Sequence, residues 1–167
     1  MKFLDSIMAA LVAFSTNPAA KIEADIKVDF DPQIACLAQN IYFEARNEST
    51  AGQIAVANVV LNRKKSKAFP DTVCEVVYEG PHYETSGGRL FPYKHRCQFS
   101  WYCDGKSDLI KNMPKYEDLY VLANFIYNSN IDITDGALFY HADYVDPEWS
   151  DSMKVTATID THIFYKQ

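Results

Sequence analysis

Asp31-Pro32-Gln33-Ile34-Ala35-Cys36-Leu37-Ala38-Gln39-Asn40-Ile41-Tyr42-Phe43-Glu44-Ala45-Arg46-Asn47 is the most informative run of the chain. Asp31 can accept a hydrogen bond at a helix start, and Pro32 suits the first helical position. Ile34, Leu37, Ala38, Ile41 and Ala45 recur at steps of three and four, which makes one apolar stripe. The spacing predicts a helix from Pro32 to about Arg46. Asn47 is expected to close it, because Asn tolerates the left-handed conformation found at helix ends. Glu44 falls at the edge of the stripe, where a carboxylate borders buried surface.

A second helix is expected from about Thr50 to Lys65. Its middle, Gln53 to Asn62, is apolar nearly all round, as in a central helix. Arg63-Lys64-Lys65 reads as a charged C-terminal end. Phe69-Pro70-Asp71 punctuates the chain, and Thr72 to Tyr78 is expected as a short helix or turn. Residues 79–108 are rich in turn chemistry (Gly80-Pro81, Gly87-Gly88, Asp104-Gly105) and read as one long loop. A third main helix is expected from Tyr116 to Asn128. The end changes character: 137–141, 155–159 and 162–165 read as strands. Helices first and a small sheet later give an α+β class.

The chain has 167 residues, of which 48% are hydrophobic and 23% charged, which excludes wholesale disorder and a coiled coil. Its net charge is −6, so a nucleic-acid partner is not expected. No stretch approaches the ~20 apolar residues of a membrane span. Residues 1–31 are read as a leader and linker and 32–167 as the domain. Within the leader, Ser6 to Ser15 is apolar and follows Lys2, the outline of an export signal. Asp5 and the lack of a clear cleavage triplet favour a short helix or arm instead. The four cysteines, Cys36, Cys74, Cys97 and Cys103, admit three pairings, a site shared with His95, or free buried thiols. The spacing of Cys97 and Cys103 matches no standard zinc or redox motif, and no metal is expected.

Desolvation raises the pKa of a carboxylic acid, so Glu44 suits a general acid for glycosidic cleavage. The same position also suits a solvated flank residue. Asn58 points inward on the second helix and either bridges elements or faces a polar groove. Gln98-Phe99-Ser100-Trp101 mixes aromatic and hydrogen-bonding side chains, as sugar-binding surfaces do, or plugs its own core. Tyr140-His141 ends a strand, where a His is more often hydrogen-bonded structure than catalyst.

Together these runs resemble the SleB-like cell-wall hydrolases, the spore-cortex lytic enzymes and phage or bacterial wall hydrolases. The likeness is carried by Cys36–Arg46, Gly52–Arg63, Phe69–Tyr78, Cys97–Gly105, Ala137–Ala142, Pro147-Glu148-Trp149 and His162–Tyr165, spanning about residues 34–166. The family usually has Gly at the positions of Asn47 and near Asp160. The resemblance implies a lysozyme-like, lytic-transglycosylase-like helical domain with a small antiparallel sheet in its C-terminal part. It implies Glu44 as catalytic acid, and Asn58, Gln98, Ser100, Trp101, Tyr140 and His141 as substrate-binding groove residues. The substrate and partner implied is the peptidoglycan glycan strand, cut between N-acetylmuramic acid and N-acetylglucosamine, by a monomer that needs no cofactor and inserts in no membrane. The expected place of action is the periplasm or wall, reached by export or phage-induced lysis, in a phage endolysin or a bacterial remodelling enzyme. No second carboxylate adjoins Glu44 in an evident motif, which favours transglycosylation to 1,6-anhydro-muramic ends. Glu48, Asp104 and Asp143 are the acids available to a muramidase-type hydrolase, the alternative. A non-catalytic murein-binding module is the other reading.

Overall fold

The structure, a computed structural model, describes residues 30–167. The expected leader and its export signal lie almost wholly outside the described residues. Phe30 and Asp31 already belong to the domain. Phe30 stacks on Tyr120, and the Asp31 N–H donates to the Tyr120 hydroxyl at 2.9 Å.

Helix α1 runs Pro32–Ala45. The Asp31 carboxylate accepts the Gln33 N–H at 2.7 Å, as its capping position requires. Arg46 closes the helix in a right-handed conformation, φ −59°. Asn47 therefore does not make the expected left-handed stop; among the described residues positive φ falls on His95, Asp135 and Asp160 besides glycines. Helix α2, Thr50–Lys65, starts at Ser49, and helix α3, Val73–Val77, starts at Thr72. Helix α4 runs Met113–Tyr127, three residues earlier than expected at its start, because Asn112 caps it and Pro114 occupies the first turn. Leu37, Ile41, Val56, Val60, Val76, Leu119 and Ile126 are fully buried where the four helices meet.

The expected loop 79–108 contains regular structure. Strands β1, His82–Glu84, and β2, Leu90–Pro92, pair antiparallel. Their turn is closed by the Thr85 N–H on the Arg89 carbonyl at 2.8 Å, with Gly88 at φ 75°. Ser100–Cys103 forms one 3-10 turn. Strands β3, Phe139–Ala142, β4, Lys154–Ile159, and β5, His162–Lys166, form an antiparallel sheet in the order β3-β5-β4. Phe164, central in β5, packs with Ala55 and Val59 of α2. The segment Glu148–Ser152 makes a second 3-10 turn.

The two-residue turn between β4 and β5 fixes this sheet to the helices. The Asp160 carboxylate accepts the Ser49 N–H at 2.9 Å and the Ser49 hydroxyl at 2.6 Å. The Thr161 hydroxyl donates to Glu48 at 2.9 Å. Asp160 sits at φ 49°, a conformation Asp tolerates better than most residues, so it keeps the turn while its carboxylate adds a clasp. Gly52 allows the approach, since a Cβ there would lie 2.4 Å from an Asp160 carboxylate oxygen.

All four cysteines are bridged. Cys36–Cys74 ties α1 to α3 with Cα atoms 5.2 Å apart, and Cys97–Cys103 closes the segment around the first 3-10 turn. This replaces the free-thiol and Cys/His metal readings. Cross-linking removes unfolded-chain entropy in proportion to the logarithm of loop length. For separations of 38 and 6 residues, removal of each bridge by paired Cys→Ala changes is expected to cost about 4 and about 2 kcal/mol. Urea unfolding of the two double variants checks this, and the reverse order would contradict it.

Candidate active site

Glu44 is held at the C-terminal turn of α1 by its neighbours. Ala45 and Ile41 are buried in the helical core, which turns the Glu44 side chain toward the sheet. There the Tyr140 hydroxyl, on β3, donates to Glu44 Oε2 at 2.8 Å. Tyr140 is itself fixed, opposite Phe164 in the sheet and edge-on to His162 at 5.2 Å. Burial pushes the Glu44 carboxyl above its ordinary value; the Tyr140 hydrogen bond and the Arg63 charge pull the other way and do not cancel it. Burial, reinforced by the Glu44 charge, raises Tyr140 well above the ordinary phenol range, so its hydroxyl stays a donor.

On the other flank, Trp101 stacks on Phe43 with ring centres 4.6 Å apart. Its indole N–H donates to Asn40 Oδ1 at 3.0 Å, and Asn40 is wholly buried one turn before Glu44. Trp101 is thus mostly core, with one edge in the wall of a cavity of about 350 Å³. That cavity is lined also by Tyr42, Phe43, Arg46, Lys106 and Asp108; Glu44 is not in its wall. Gln98 and Ser100 have exposed side chains on the same segment, and the Gln98 N–H is held by the Glu79 carbonyl at 3.0 Å.

Two expected groove residues are spent elsewhere. The Asn58 amide donates to the Ile131 carbonyl at 2.7 Å and accepts the Ile133 N–H at 3.0 Å, which leaves no free end for a ligand. It clasps α2 to the chain before β3, the bridging alternative. His141 Nδ1 donates to the Ala142 carbonyl at 2.8 Å, and Nε2 pairs with the Tyr165 hydroxyl at 2.7 Å. Both ring nitrogens are occupied, as in a structural histidine.

The three acids considered as second carboxylates are dispersed. Glu48 binds Thr161, Asp104 pairs with Lys106 at 3.4 Å, and Asp143 is exposed beyond β3. None of them shares a hydrogen bond with Glu44. Sequence reasoning places Arg63 only in a charged helix end and gives it no role in the site. It is 5% exposed. Its Nε donates to the Leu138 carbonyl at 2.8 Å, and its guanidinium lies over Phe69, Phe99 and Phe139. The signal was present: Arg63 follows Val59 by four residues and Val56 by seven, on the apolar face.

The family profile described as Cell Wall Hydrolase matches residues 47–165, so the matched stretch begins just after Glu44. The solved catalytic domain of the Bacillus cereus SleB protein superposes with a TM-score of 0.57 and 30% identity, covering 80% of this chain and 89% of that one. The catalytic domain of the germination-specific lytic transglycosylase SleB from Bacillus anthracis gives 0.58 and 28%, covering 83% and 98%. The spore cortex-lytic enzyme of Halalkalibacterium halodurans is 51% identical over 49 residues, which is 29% of this chain and 15% of that protein. The one from Bacillus subtilis is 50% identical over 46 residues, 28% of this chain and again 15% of the relative. The stretch shared with these curated relatives is thus a small part of their length.

A raised pKa in the folded state has a defined effect on stability. Between the ordinary value of 4.5 and the raised one, the native protein binds more protons than the unfolded chain, so stability falls as pH rises through that window. Glu44→Gln cannot ionise. The variant is expected to be more stable than the wild type at pH above the raised value, with the gap narrowing as pH drops from the raised value to 4.5 and constant below it. Denaturant unfolding of both proteins from acid to alkaline pH measures it; a constant gap would contradict the desolvation of Glu44.

Proposed function

The chain belongs to the cell wall hydrolase family, and from that premise we propose that it is a peptidoglycan glycosidase with Glu44 as its general acid and base. The observation that carries the reading is the desolvated Glu44 carboxyl with a single phenolic donor on it. Such an acid keeps its proton toward neutral pH, as protonation of a leaving oxygen requires. The bond proposed is the β-1,4 link between N-acetylmuramic acid and N-acetylglucosamine. Residues 32–167 form the catalytic domain, with Phe30 and Asp31 completing its α4 face.

The chemistry proceeds in two proton transfers. Glu44 gives its proton to the bridging oxygen as the bond from muramic acid C1 to that oxygen breaks and the sugar becomes oxocarbenium-like. The Glu44 carboxylate so formed keeps its hydrogen bond from Tyr140. It then takes the proton from the muramic acid 6-hydroxyl, whose oxygen bonds C1 and closes a 1,6-anhydro ring. Glu44 ends protonated, water is not consumed, and no cofactor takes part. The dispersal of Glu48, Asp104 and Asp143 supports this course over hydrolysis, which normally employs a second carboxylate near the first. A relative titled a lytic transglycosylase supports it as well. Of the expected groove residues, Trp101, Gln98 and Ser100 remain suited to hold the glycan, through an aromatic edge and two exposed polar side chains. At a net charge of −6 the protein gains nothing from anionic wall polymers, so binding rests on such contacts. Two disulfides fit action outside the reducing cytoplasm, at the periplasm or wall, in a remodelling enzyme or an endolysin.

Digestion of purified murein followed by mass spectrometry tests the reading. The wild type is expected to release 1,6-anhydro-muramic products, and Glu44→Gln to be slower by about a thousandfold. Reducing muramic ends would establish hydrolysis instead, and undiminished lysis by the variant would remove Glu44 from the role.

A further inference from the structure

Arg63 has no carboxylate partner within ion-pairing distance; among the described residues the ion pairs are Lys106–Asp104 and Lys166–Asp135. A buried guanidinium is ordinarily retained only where its charge is matched. Here one nitrogen, Nη1, is buried with no hydrogen-bond partner, and so is Glu79 Oε2. The rest of the guanidinium is immobilised. Nε is fixed to the Leu138 carbonyl, and three aromatic rings enclose the plane. The Leu138 peptide is locked from its other side, because its N–H donates to the Tyr165 carbonyl at 2.9 Å. Two residues later, on the same side of that strand, stands Tyr140. Arg63 therefore ties α2 to the start of the strand whose hydroxyl holds Glu44. Glu79 in turn binds the Gln98 N–H through its carbonyl, next to Phe99 of the aromatic cage.

We propose that Arg63 is the positioning residue of the Glu44–Tyr140 pair: a fixed cation that keeps the pair in register and steadies the Glu44 carboxylate between its two proton transfers, with Glu79 as its counter-charge while Glu44 is protonated. This rests on the reading of Glu44 as acid and base. Arg63 from α2 lies within electrostatic reach of Glu44 from α1, Glu79 after α3 and Tyr140 from β3, and His162 of β5 stands against the Tyr140 ring. One cation shared by two acids is electrically balanced with a single proton on the acids. Arg63 favours the charged form of both Glu44 and Glu79, against the burial that raises each. When Glu44 releases its proton, the Tyr140 hydrogen bond and, after it, the Arg63 charge limit the cost of the new charge.

The test is a carboxyl-carbon NMR titration of Glu44, with murein kinetics on the same proteins. Arg63→Gln is expected to move the Glu44 midpoint upward and to lower kcat about 100-fold. KM is expected to stay within about twofold, since the residue touches no substrate. Arg63→Lys keeps the charge and is expected to hold the midpoint near wild type and recover much of kcat. Glu79→Gln removes the rival anion and is expected to move the midpoint, and the alkaline limb of the pH–rate profile, to lower pH. An unmoved Glu44 midpoint in Glu79→Gln and in a folded Arg63→Gln overturns the proposal. So does an Arg63→Lys protein as impaired and as shifted as Arg63→Gln. If Arg63→Gln does not fold, the direction of the Glu79→Gln shift decides alone. The titration needs no lytic activity, so a protein inert on murein would sink the functional reading without touching this result.

Discussion

One hydrogen bond, from the Tyr140 hydroxyl to Glu44 at 2.8 Å, spans 96 residues of sequence and sets the terms for the rest of the molecule. Its acceptor sits at the end of the first helix and its donor on the first strand of the last sheet. The two meet only if the sheet is held at one height against the helices. Phe164 does this from below, packed on α2. Asp160 and Thr161 do it from the turn, by capping the residues between α1 and α2. Asn58 does it from the chain that leads into β3. Each of these contacts lies away from Glu44, and each acts on where Tyr140 stands.

Opposed electrostatic demands meet at the carboxyl. In the proposed role, Glu44 has to hold its proton beyond the ordinary carboxylate range, and its burial shifts it in that direction. The carboxylate left behind must then be tolerable, which calls for a donor and a cation. Tyr140 is the donor, kept protonated by its own burial, and Arg63 is the cation in reach. Placing a guanidinium there is unfavourable, and the protein offsets it with a carbonyl and three aromatic faces rather than with a direct carboxylate contact. The site is thus a region where stability is given up locally, and the two disulfides restrain the segments that bear the load.

Much of this was legible in the sequence, for identifiable reasons. α1, α2 and the three C-terminal strands announce themselves because apolar periodicity and caps are local signals. Glu44 was legible for the same reason, as a carboxylate at the border of a helical stripe. The β1–β2 hairpin was not: it is exposed on nearly all of its six positions, so no burial pattern imprints on it. The start of α4 was missed by weighting apolar steps over the Asn112 cap. Arg63 reads only as part of a charged helix end because its hydrogen-bond partner, the Leu138 carbonyl, comes more than seventy residues later in the chain. Asn58 reads as a polar residue facing inward and His141 as a hydrogen-bonded strand end, yet their partners are backbone carbonyls, an N–H and a phenol. Sequence carries the chemical type of such a residue; only the fold assigns its partner. The pairing of the cysteines belongs to the same class.

The central claim is that burial makes Glu44 hold its proton to higher pH than an ordinary carboxylic acid does. Infrared difference spectroscopy of the wild type against Glu44→Gln, in light and heavy water, reads that proton directly. A carbonyl stretch of a protonated carboxylic acid, persisting in the wild type at pH above 4.5, where an ordinary carboxyl is ionised, and lost in the variant, is the expected result. A pair of carboxylate bands in its place would mean that the side chain is ionised at rest and could not act as the acid described.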